Sequence, residues 1–520
     1  MNQRKNIEKQ RTSYEKILNT LEQHQQILKK STQEFPRGKG HVCTSSRNIK
    51  EHDVFIACLG HHHDGHFFIK DAISQKAALI ILESLDFFIN KTSTPFILVK
   101  NSRKAWSLLA ALVYNNPQEQ LNFIGITGTN GKTSTAWITQ SLLCSCNIKT
   151  MYIGTLGVYS HKQELIESST HTTPDPDQLF RILSLAVQQN YHTIVMEVSS
   201  HSLTQKKLGP IKFTAAAFTN FTRDHLDYHQ NMNNYWLAKF SLFQNYLKKN
   251  FKAVFHQSLR KKIEETKPTK QNCIFYEHKN IEMKTHKEEN CTQADVLIKS
   301  KSKRNQTSVT ISLYNKKIHG TIPYISDHNS ENFCAAILLS MQLTTEVIDQ
   351  RHWLHLTQIP GRLEQLKIKN TEANILIDYA HTPAALEKVL VFAAYYRKTG
   401  GNVYLLFGCG GNRDVGKRQL VAQIAERNSD HTILTTDNPR YEEPTKIIED
   451  IASGFSSLEK VTIIIDRKEA ISYALNQIKQ NDVLIVAGKG HERYQEIGRE
   501  KIPFHDKSII MQHTLEQGPT

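Results

Sequence analysis

No run of 18 or more apolar residues occurs anywhere in the 520-residue chain, so the sequence offers no membrane-spanning helix. The first stretch, Met1 to Glu34, is polar and charged and lacks the apolar core of a secretory signal. It reads as a polar extension, a solvated helix with Ile17, Leu18 and Leu21 on a thin apolar face, and the expected location is the cytoplasm. Paired C-x-x-C spacing is also missing. The eight cysteines, Cys43, Cys58, Cys144, Cys146, Cys273, Cys291, Cys334 and Cys409, lie largely in apolar segments, which points to reduced, mostly buried thiols. His61-His62-His63 is followed directly by the turn signal Asp64-Gly65 and reads as a polar loop rather than a metal site. The formal net charge of +15 comes without any aromatic-interleaved or zinc-type nucleic-acid motif. Much of the excess lies in Lys248 to Lys317, including Lys299-Ser300-Lys301-Ser302-Lys303-Arg304, and is read as a solvated basic surface.

What the chain does have is enough apolar material, 39%, for sizeable cores, and a length that suggests three or four domains at about 150 residues each. Three blocks can be read. Residues 1–100 form a small α/β unit, with apolar runs at Val54–Leu59, Ala77–Leu82 and Pro95–Val99 and a helix at Phe68–Gln75. Residues 101–357 open with a helix at Ala105–Tyr114, continue with strands at Thr193–Val198 and Thr214–Thr219, and include the basic segment. Residues 358–520 alternate strands at Asn374–Ile377, Val403–Phe407, His431–Thr435, Val461–Ile465 and Val483–Val486 with helices at Ala384–Tyr395, Lys417–Arg427 and Arg467–Lys479. Alternation of this kind predicts parallel sheets covered by helices on both faces. Ligands then belong at the carboxyl ends of the strands.

The stretch Gly125-Ile126-Thr127-Gly128-Thr129-Asn130-Gly131-Lys132-Thr133 follows an apolar strand and precedes a helix. That is the context of a phosphate-binding loop. Glycines let backbone N–H groups approach phosphate, and a helix N-terminus favours anionic charge. Lys132 can reach the terminal phosphates and Thr133 can ligate Mg²⁺. Gly128 and Gly131 are separated by two residues, where a Walker A loop has four. Two further strand ends carry chemistry. Glu197 closes the strand from Thr193 and is placed to bind Mg²⁺ beside a phosphate loop. Arg223-Asp224-His225-Leu226-Asp227-Tyr228-His229 gathers two histidines and two aspartates after the strand Thr214–Thr219.

Six motifs then occur in a fixed order: Thr127 to Thr133, His171 to Pro176, Met196 to Leu203, Arg223 to His229, Asp378-Tyr-Ala-His-Thr-Pro383 and Gly488-Lys-Gly-His-Glu492. Together they resemble the Mur ligases of peptidoglycan synthesis, over residues 40 to 510. The odd spacing of the phosphate loop is that family's form. Within it, the chain looks like the branch that adds the third residue of the stem peptide. The resemblance implies α/β architecture in three domains: an N-terminal UDP-binding domain, a central P-loop ATPase domain and a Rossmann-like C-terminal domain. It implies ATP-dependent amide formation through an acyl phosphate, with Mg²⁺ as cofactor and ATP as co-substrate. It also implies a monomer acting on small molecules, with no nucleic-acid partner.

Carried over residue by residue, Gly128, Thr129, Asn130, Gly131, Lys132 and Thr133 match the nucleotide loop, and Glu197 and His225 match metal positions. Lys239 matches a lysine that carries a carbamate (N6-carboxylysine), a role composition would never suggest. Asn329 and Asn332 match asparagines at the nucleotide. Arg362 and Asp378 match C-terminal contacts that reach ATP when the domains close. For the UDP-linked muramoyl dipeptide the matches are Ser46, Arg47, Thr172, Thr173, Ser199, Gln205 and Lys207. Lys207 stands where arginine is usual, which keeps the charge but loses the planar fork.

Asp437-Asn438-Pro439-Arg440 carries the specificity signal. Read alone it is an Asn-Pro turn. In the family, arginine there accompanies meso-diaminopimelate, whose extra carboxylate a guanidinium can grip in two parallel hydrogen bonds. Arg413, Gly488 and Glu492 match the rest of that pocket. The expected activity is therefore ligation of meso-diaminopimelate to UDP-N-acetylmuramoyl-L-alanyl-D-glutamate. The rivals are a lysine-adding ligase, a folylpolyglutamate-synthetase-like ligase and a basic P-loop protein that binds nucleic acid.

Overall fold

The computed structural model describes residues 9–60, 64–86, 93–169, 171–248, 252–266, 273–280, 294–303, 306–313, 316–366 and 373–516. His61-His62-His63, Cys291 and Arg304 lie outside these residues. The chain forms two compact units, one of Met1–Ser300, Val309–Gly320 and His328–His355, the other of Lys301–Ser308, Thr321–Asp327 and Leu356–Thr520.

The first unit begins with a small sheet built from β1 (Ile27–Lys30), β2 (Val42–Cys43), β3 (Val54–Ile56), β4 (Leu79–Leu82) and β5 (Phe96–Val99), in the order β1-β5-β4-β3-β2. The helix in the polar N-terminal stretch is docked rather than solvated. Helix Tyr14–Gln23 buries Tyr14, Ile17 and Leu21, and the Tyr14 hydroxyl donates to the His52 carbonyl at 2.6 Å. The predicted thin apolar face is real, but it meets a core instead of water.

The larger sheet contains β6 (Asn122–Thr127), β7 (Thr150–Gly154), β8 (Gly157–Tyr159), β9 (Leu165–Glu167), β10 (Thr193–Glu197), β11 (Ala215–Phe218), β12 (Ala253–His256) and β13 (Cys273–Asn280), in the order β9-β8-β7-β10-β6-β11-β12-β13. Strands β14 (Val296–Lys303), β15 (Gln306–Leu313) and β16 (Lys316–Ile322) extend it to eleven. Most of the described residues of the segment read as merely basic and polar are thus strand. In β15 the side chains alternate between buried and partly exposed, and Lys299 and Lys301 flank the buried Ser300. The central strands β7, β10, β6 and β11 run parallel, whereas β8 and β9 form antiparallel edge hairpins. Strand β6, hydrogen-bonded on both sides, has Phe123, Ile124 and Ile126 at 0% exposure. Such two-faced burial explains why it reads as an apolar run without alternation.

The second unit is a six-stranded sheet of β17 (Glu364–Leu366), β18 (Asn374–Asp378), β19 (Val403–Phe407), β20 (His431–Leu434), β21 (Val461–Ile463) and β22 (Val483–Ala487), in the order β17-β18-β22-β19-β20-β21. All pairs are parallel except β17 with β18, so the prediction of an all-parallel sheet fails at that edge. Strands, and helices Pro383–Tyr396, Lys417–Asn428 and Arg467–Gln477, fall within two residues of their sequence expectations. Helix Pro444–Ala452 and the hairpin β23 (Tyr494–Ile497) with β24 (Glu500–Pro503) were not anticipated.

Candidate active site

Register brings three strand ends of the first unit together. Glu197 at the end of β10 pairs with Ile126, and Phe218 at the end of β11 pairs with Thr127. The phosphate loop leaves β6 between them. Gly128 and Gly131 have φ of +149° and +84°, and a Cβ on them would stand 2.0 Å from Thr219 Oγ1 and 2.4 Å from Asn332 Oδ1. Only glycine lets the loop pass this closely. The Asn130 N–H donates to Asn220 Oδ1 at 2.9 Å, and Thr219 and Asn220 donate back to the Asn130 carbonyl. The loop is therefore held in shape by the residues after β11.

Glu197 has no exposed surface. Its Oε1 accepts from the Tyr152 hydroxyl at 2.5 Å and from the Thr155 N–H at 2.8 Å. Its Oε2 accepts from Thr133 Oγ1 at 3.0 Å and Thr155 Oγ1 at 3.1 Å. Thr133 and Glu197, separate motifs in sequence, thus meet directly. Their hard oxygen donors suit Mg²⁺. Lys132 Nζ donates to the carbonyls of Gly128 and Thr129 at 3.0 and 2.8 Å.

Lys239 is 1% exposed. Its Nζ donates to the Gly128 carbonyl at 2.7 Å and lies 4.7 Å from the centre of the Tyr235 ring. Burial, reinforced by Lys132, lowers its pKa well below the ordinary lysine value, against a smaller opposing pull from Asp224. His225 has a left-handed backbone, φ +52°, and lies 3.4 Å from Asp224. Burial lowers its pKa. Its ring packs edge-on against His201 at 4.9 Å, and burial followed by the field of His225 pushes His201 down to about 4. Among the described contacts, His225 is not bonded to Glu197.

Asn332 Oδ1 accepts from Thr135 Oγ1 at 3.3 Å, which joins Asn332 to helix Lys132–Ser145, and Asn332 Nδ2 donates to Asn329 at 3.4 Å. Thr173 donates to the Glu197 carbonyl at 2.9 Å and accepts from the Ser199 N–H at 3.2 Å. Thr172 accepts from Thr155 Oγ1 at 3.2 Å. Gln205 faces the Tyr228 hydroxyl at 3.4 Å, and Lys207 pairs with Asp175 at 2.7 Å. Ser46 is buried and Arg47 exposed on a single 3-10 turn of the small N-terminal sheet, apart from the loop cluster.

In the second unit the carboxyl ends of the strands again carry the predicted residues. Asp378 ends β18, where its oxygens accept the N–H groups of Leu363 and Ala380 at 2.7 and 2.8 Å. Burial raises its pKa, opposed by Arg362. The Arg362 guanidinium lies over the Tyr379 ring at 4.7 Å. Asn438 Nδ2 donates to Glu492 at 2.8 Å. Gly488, φ +102°, leaves room beside Asp437, where a Cβ would come within 3.2 Å of the carboxylate. Arg440 Nε pairs with Glu496 at 2.9 Å and its Nη1 donates to the Gly411 carbonyl at 2.8 Å. Arg413 is exposed.

Two residues of this cluster escaped the sequence reading. Lys489 has no exposed surface and donates to Asn438 and Glu492 at 3.0 and 3.1 Å, with Asp437 3.7 Å away. It stands inside a quoted motif, but nothing marked it as buried. Glu496, the partner of Arg440, carried no signal because it lies in the unanticipated hairpin.

Residues 126–340 match the Mur ligase middle domain, and residues 361–490 the Mur ligase, glutamate ligase domain. A relative from Aquifex aeolicus (strain VF5), named UDP-N-acetylmuramoyl-L-alanyl-D-glutamate–2,6-diaminopimelate ligase, is 36% identical over 91% of this chain and 93% of its own. One of the same name from Coxiella burnetii (strain RSA 493 / Nine Mile phase I) is 37% identical over 89% and 93%. A solved structure of a ligase of that name shares 26% identity, with a TM-score of 0.65 over 98% of this chain and 100% of that one. The glycine loop tied to Thr219 and Asn220 and the carboxylate beside Thr133 therefore sit in a recognised framework, and this chain belongs to the Mur ligase family.

Proposed function

We propose that this chain ligates meso-diaminopimelate to UDP-N-acetylmuramoyl-L-alanyl-D-glutamate with cleavage of ATP, in the cytoplasm and as a monomer. The observation that carries the reading is the Thr133–Glu197 hydrogen bond at 3.0 Å, which joins a phosphate loop to a buried carboxylate. The names of relatives matched over about nine-tenths of the chain support the choice of substrates.

A carboxylate is a poor electrophile. Its attack on the terminal phosphorus of ATP expels ADP and gives an acyl phosphate, a carbonyl with a leaving group. The incoming amine then adds to that carbonyl, loses a proton, and phosphate departs. Two anions must meet in the first step, so positive charge is the main requirement. Lys132 supplies it by turning from its own loop carbonyls to the phosphates. Mg²⁺, held through Thr133, Glu197 and His225, would offset further phosphate charge. Lys239, whose burial favours the neutral amine, is able to attack CO₂. The nitrogen–carbon bond forms, a proton leaves to solvent, and a carbamate remains to help hold the cation. Asn329 and Asn332 border the nucleotide, and Arg362 and Asp378 keep the nucleotide role that the family resemblance gives them. Ser46, Arg47, Thr172, Thr173, Ser199 and Gln205 receive the UDP-linked dipeptide. Lys207 contributes charge already shared with Asp175.

For the amino acid, Arg440 and Arg413 grip the distal carboxylate, while Asp437, Asn438 and Glu492 accept from an ammonium beside Gly488. The three-domain division is retained: residues 1–100 for UDP, 101–357 for ATP and 358–520 for the amino acid. Incubation with ATP, the UDP-linked dipeptide and diaminopimelate should yield one amide product and one phosphate per turnover. Phosphate release independent of the dipeptide would refute the reading.

A further inference from the structure

Helix Lys132–Ser145 starts at the phosphate loop and ends on Cys146. The Cys146 N–H bonds to the carbonyls of Leu142 and Leu143, both at 3.1 Å. Asn147 follows with φ +59°, so the chain turns away and leaves the cysteine side chain pinned, 8% exposed. Glu346 and His352, which follow helix Asp327–Ser340, reach the same spot. The ligand-capable atoms of Cys146, Glu346 and His352 lie within 4.8 Å of one another, the one such group found among the described residues. His352 Nε2 and Glu346 Oε1 are 3.4 Å apart. In a tetrahedral site with metal–ligand bonds of about 2.0–2.3 Å, neighbouring ligand atoms stand roughly 3.3–3.8 Å apart. That pair already has the required spacing, and the sulfur lies within 4.8 Å of both atoms.

The far side of the imidazole is also prepared. His352 Nδ1 lies 3.3 Å from Asp349 Oδ1. Arg351 Nε donates to both Asp349 oxygens, at 3.1 and 3.0 Å, and so holds that carboxylate in place. With the proton on Nδ1, the ring donates to Asp349 and turns the Nε2 lone pair toward Cys146 and Glu346. A carboxylate behind a ligating histidine is the usual way to orient it and raise its basicity. With the proton on Nε2 instead, Nδ1 accepts the Asp349 N–H at 3.3 Å, and the ring serves only as a helix cap.

Three acceptor groups face one another here. The Cys146 sulfur, a Glu346 carboxylate oxygen and a His352 ring nitrogen converge within 4.8 Å of one another. Arg351 is engaged with Asp349. A divalent cation turns this mutual repulsion into ligation by deprotonating the thiol outright.

We propose that Cys146, Glu346 and His352 form a structural transition-metal site, suited to Zn²⁺, with water as fourth ligand and Asp349 orienting His352. A thiolate and an imidazole select zinc over magnesium. Binding forms an Sγ–zinc bond and breaks the S–H bond, and the proton leaves to solvent. The site lies at the opposite end of a 14-residue helix from the phosphate loop, about 20 Å away at 1.5 Å per residue. It is thus separate from the magnesium position at Thr133. Its effect is to staple the end of that helix to the segment following Asn329 and Asn332.

The test uses the full chain, stripped with a chelator and kept in excess Mg²⁺. Titration with Co²⁺ should give tetrahedral d–d bands and a thiolate-to-cobalt charge-transfer band that saturate at one equivalent and are erased by Zn²⁺. Zn²⁺ should raise the unfolding temperature. Cys146→Ala should abolish the charge-transfer band. Glu346 is largely exposed, its side chain at 54%, so Glu346→Gln should fold normally and weaken zinc binding about 10-fold or more. The proposal is overturned if binding does not saturate at one equivalent. A charge-transfer band persisting in folded Cys146→Ala, or unchanged zinc affinity in Glu346→Gln, overturns it equally.

Discussion

Lys239 and Lys132 donate to the same atom, the carbonyl oxygen of Gly128, at 2.7 and 3.0 Å. Two ammonium groups converging on one carbonyl would repel each other, and one of them is buried. Burial and the neighbouring Lys132 both lower the Lys239 pKa, which eases the conflict by favouring the neutral amine. Carbamylation would go further and set an anion beside Lys132, converting repulsion into attraction.

This arrangement makes a definite prediction for Lys239→Ala. The variant should be almost inactive yet folded, and a short carboxylic acid filling the vacated space should restore part of the turnover. In the wild-type chain, labelled bicarbonate should place one carbon on Lys239, detectable by mass or NMR. Absence of label in active protein would remove the carbamate.

The pH dependence has a fixed sign. Between its lowered folded value and the ordinary lysine value of 10.5, residue 239 binds a proton in the unfolded chain that it does not bind in the folded chain. Stability contributed by this site therefore rises with pH from the lowered folded value up to about 10.5. Lys239→Met should flatten that rise. An equally steep profile in the variant would mean that Lys239 is charged in the folded state.

Lys132→Ala should lower ligation roughly a hundredfold or more by removing charge compensation at the phosphates. ADP release in a variant with unchanged unfolding temperature is the measurement. Near-normal turnover would unseat the phosphate-loop role.

Arg440→Ala should lower kcat/KM for diaminopimelate by about 30-fold or more, the low end for truncating one partner of a buried charge pair. Arg440 already shares its Nε with Glu496, so Glu496→Gln should tighten diaminopimelate binding rather than weaken it. ATP use should change little in either variant. Unchanged diaminopimelate use in Arg440→Ala would end its specificity role.

Lys489→Met should destabilise the second unit by about 3 kcal/mol, because Asp437 and Glu492 would lose their buried cation. The urea midpoint of a transition reported from that unit is the readout. An unchanged midpoint would show that the cluster is solvated.

The tight turn between strand and helix was legible because glycine at Gly128 and Gly131 answers a steric demand that sequence displays directly. Buried parallel strands such as Val403–Phe407 were legible because burial on both faces writes a continuous apolar run. Strands β14 to β16 were not, since their lysines and polar residues mask an alternation that only the neighbouring strand makes meaningful. Helix Tyr14–Gln23 was misjudged for a related reason: three apolar residues are a thin face until a partner surface is known. Roles for Lys239 and Arg440 came from resemblance, while Lys489 and Glu496 depend on contacts between distant segments that no local pattern encodes.

The central claim is most directly tested by kcat/KM for phosphate release with the UDP-linked dipeptide and ATP saturating, comparing meso-diaminopimelate with lysine. The account predicts strong, dipeptide-dependent release with diaminopimelate and little with lysine. Preference for lysine, or release that does not need the dipeptide, would contradict it.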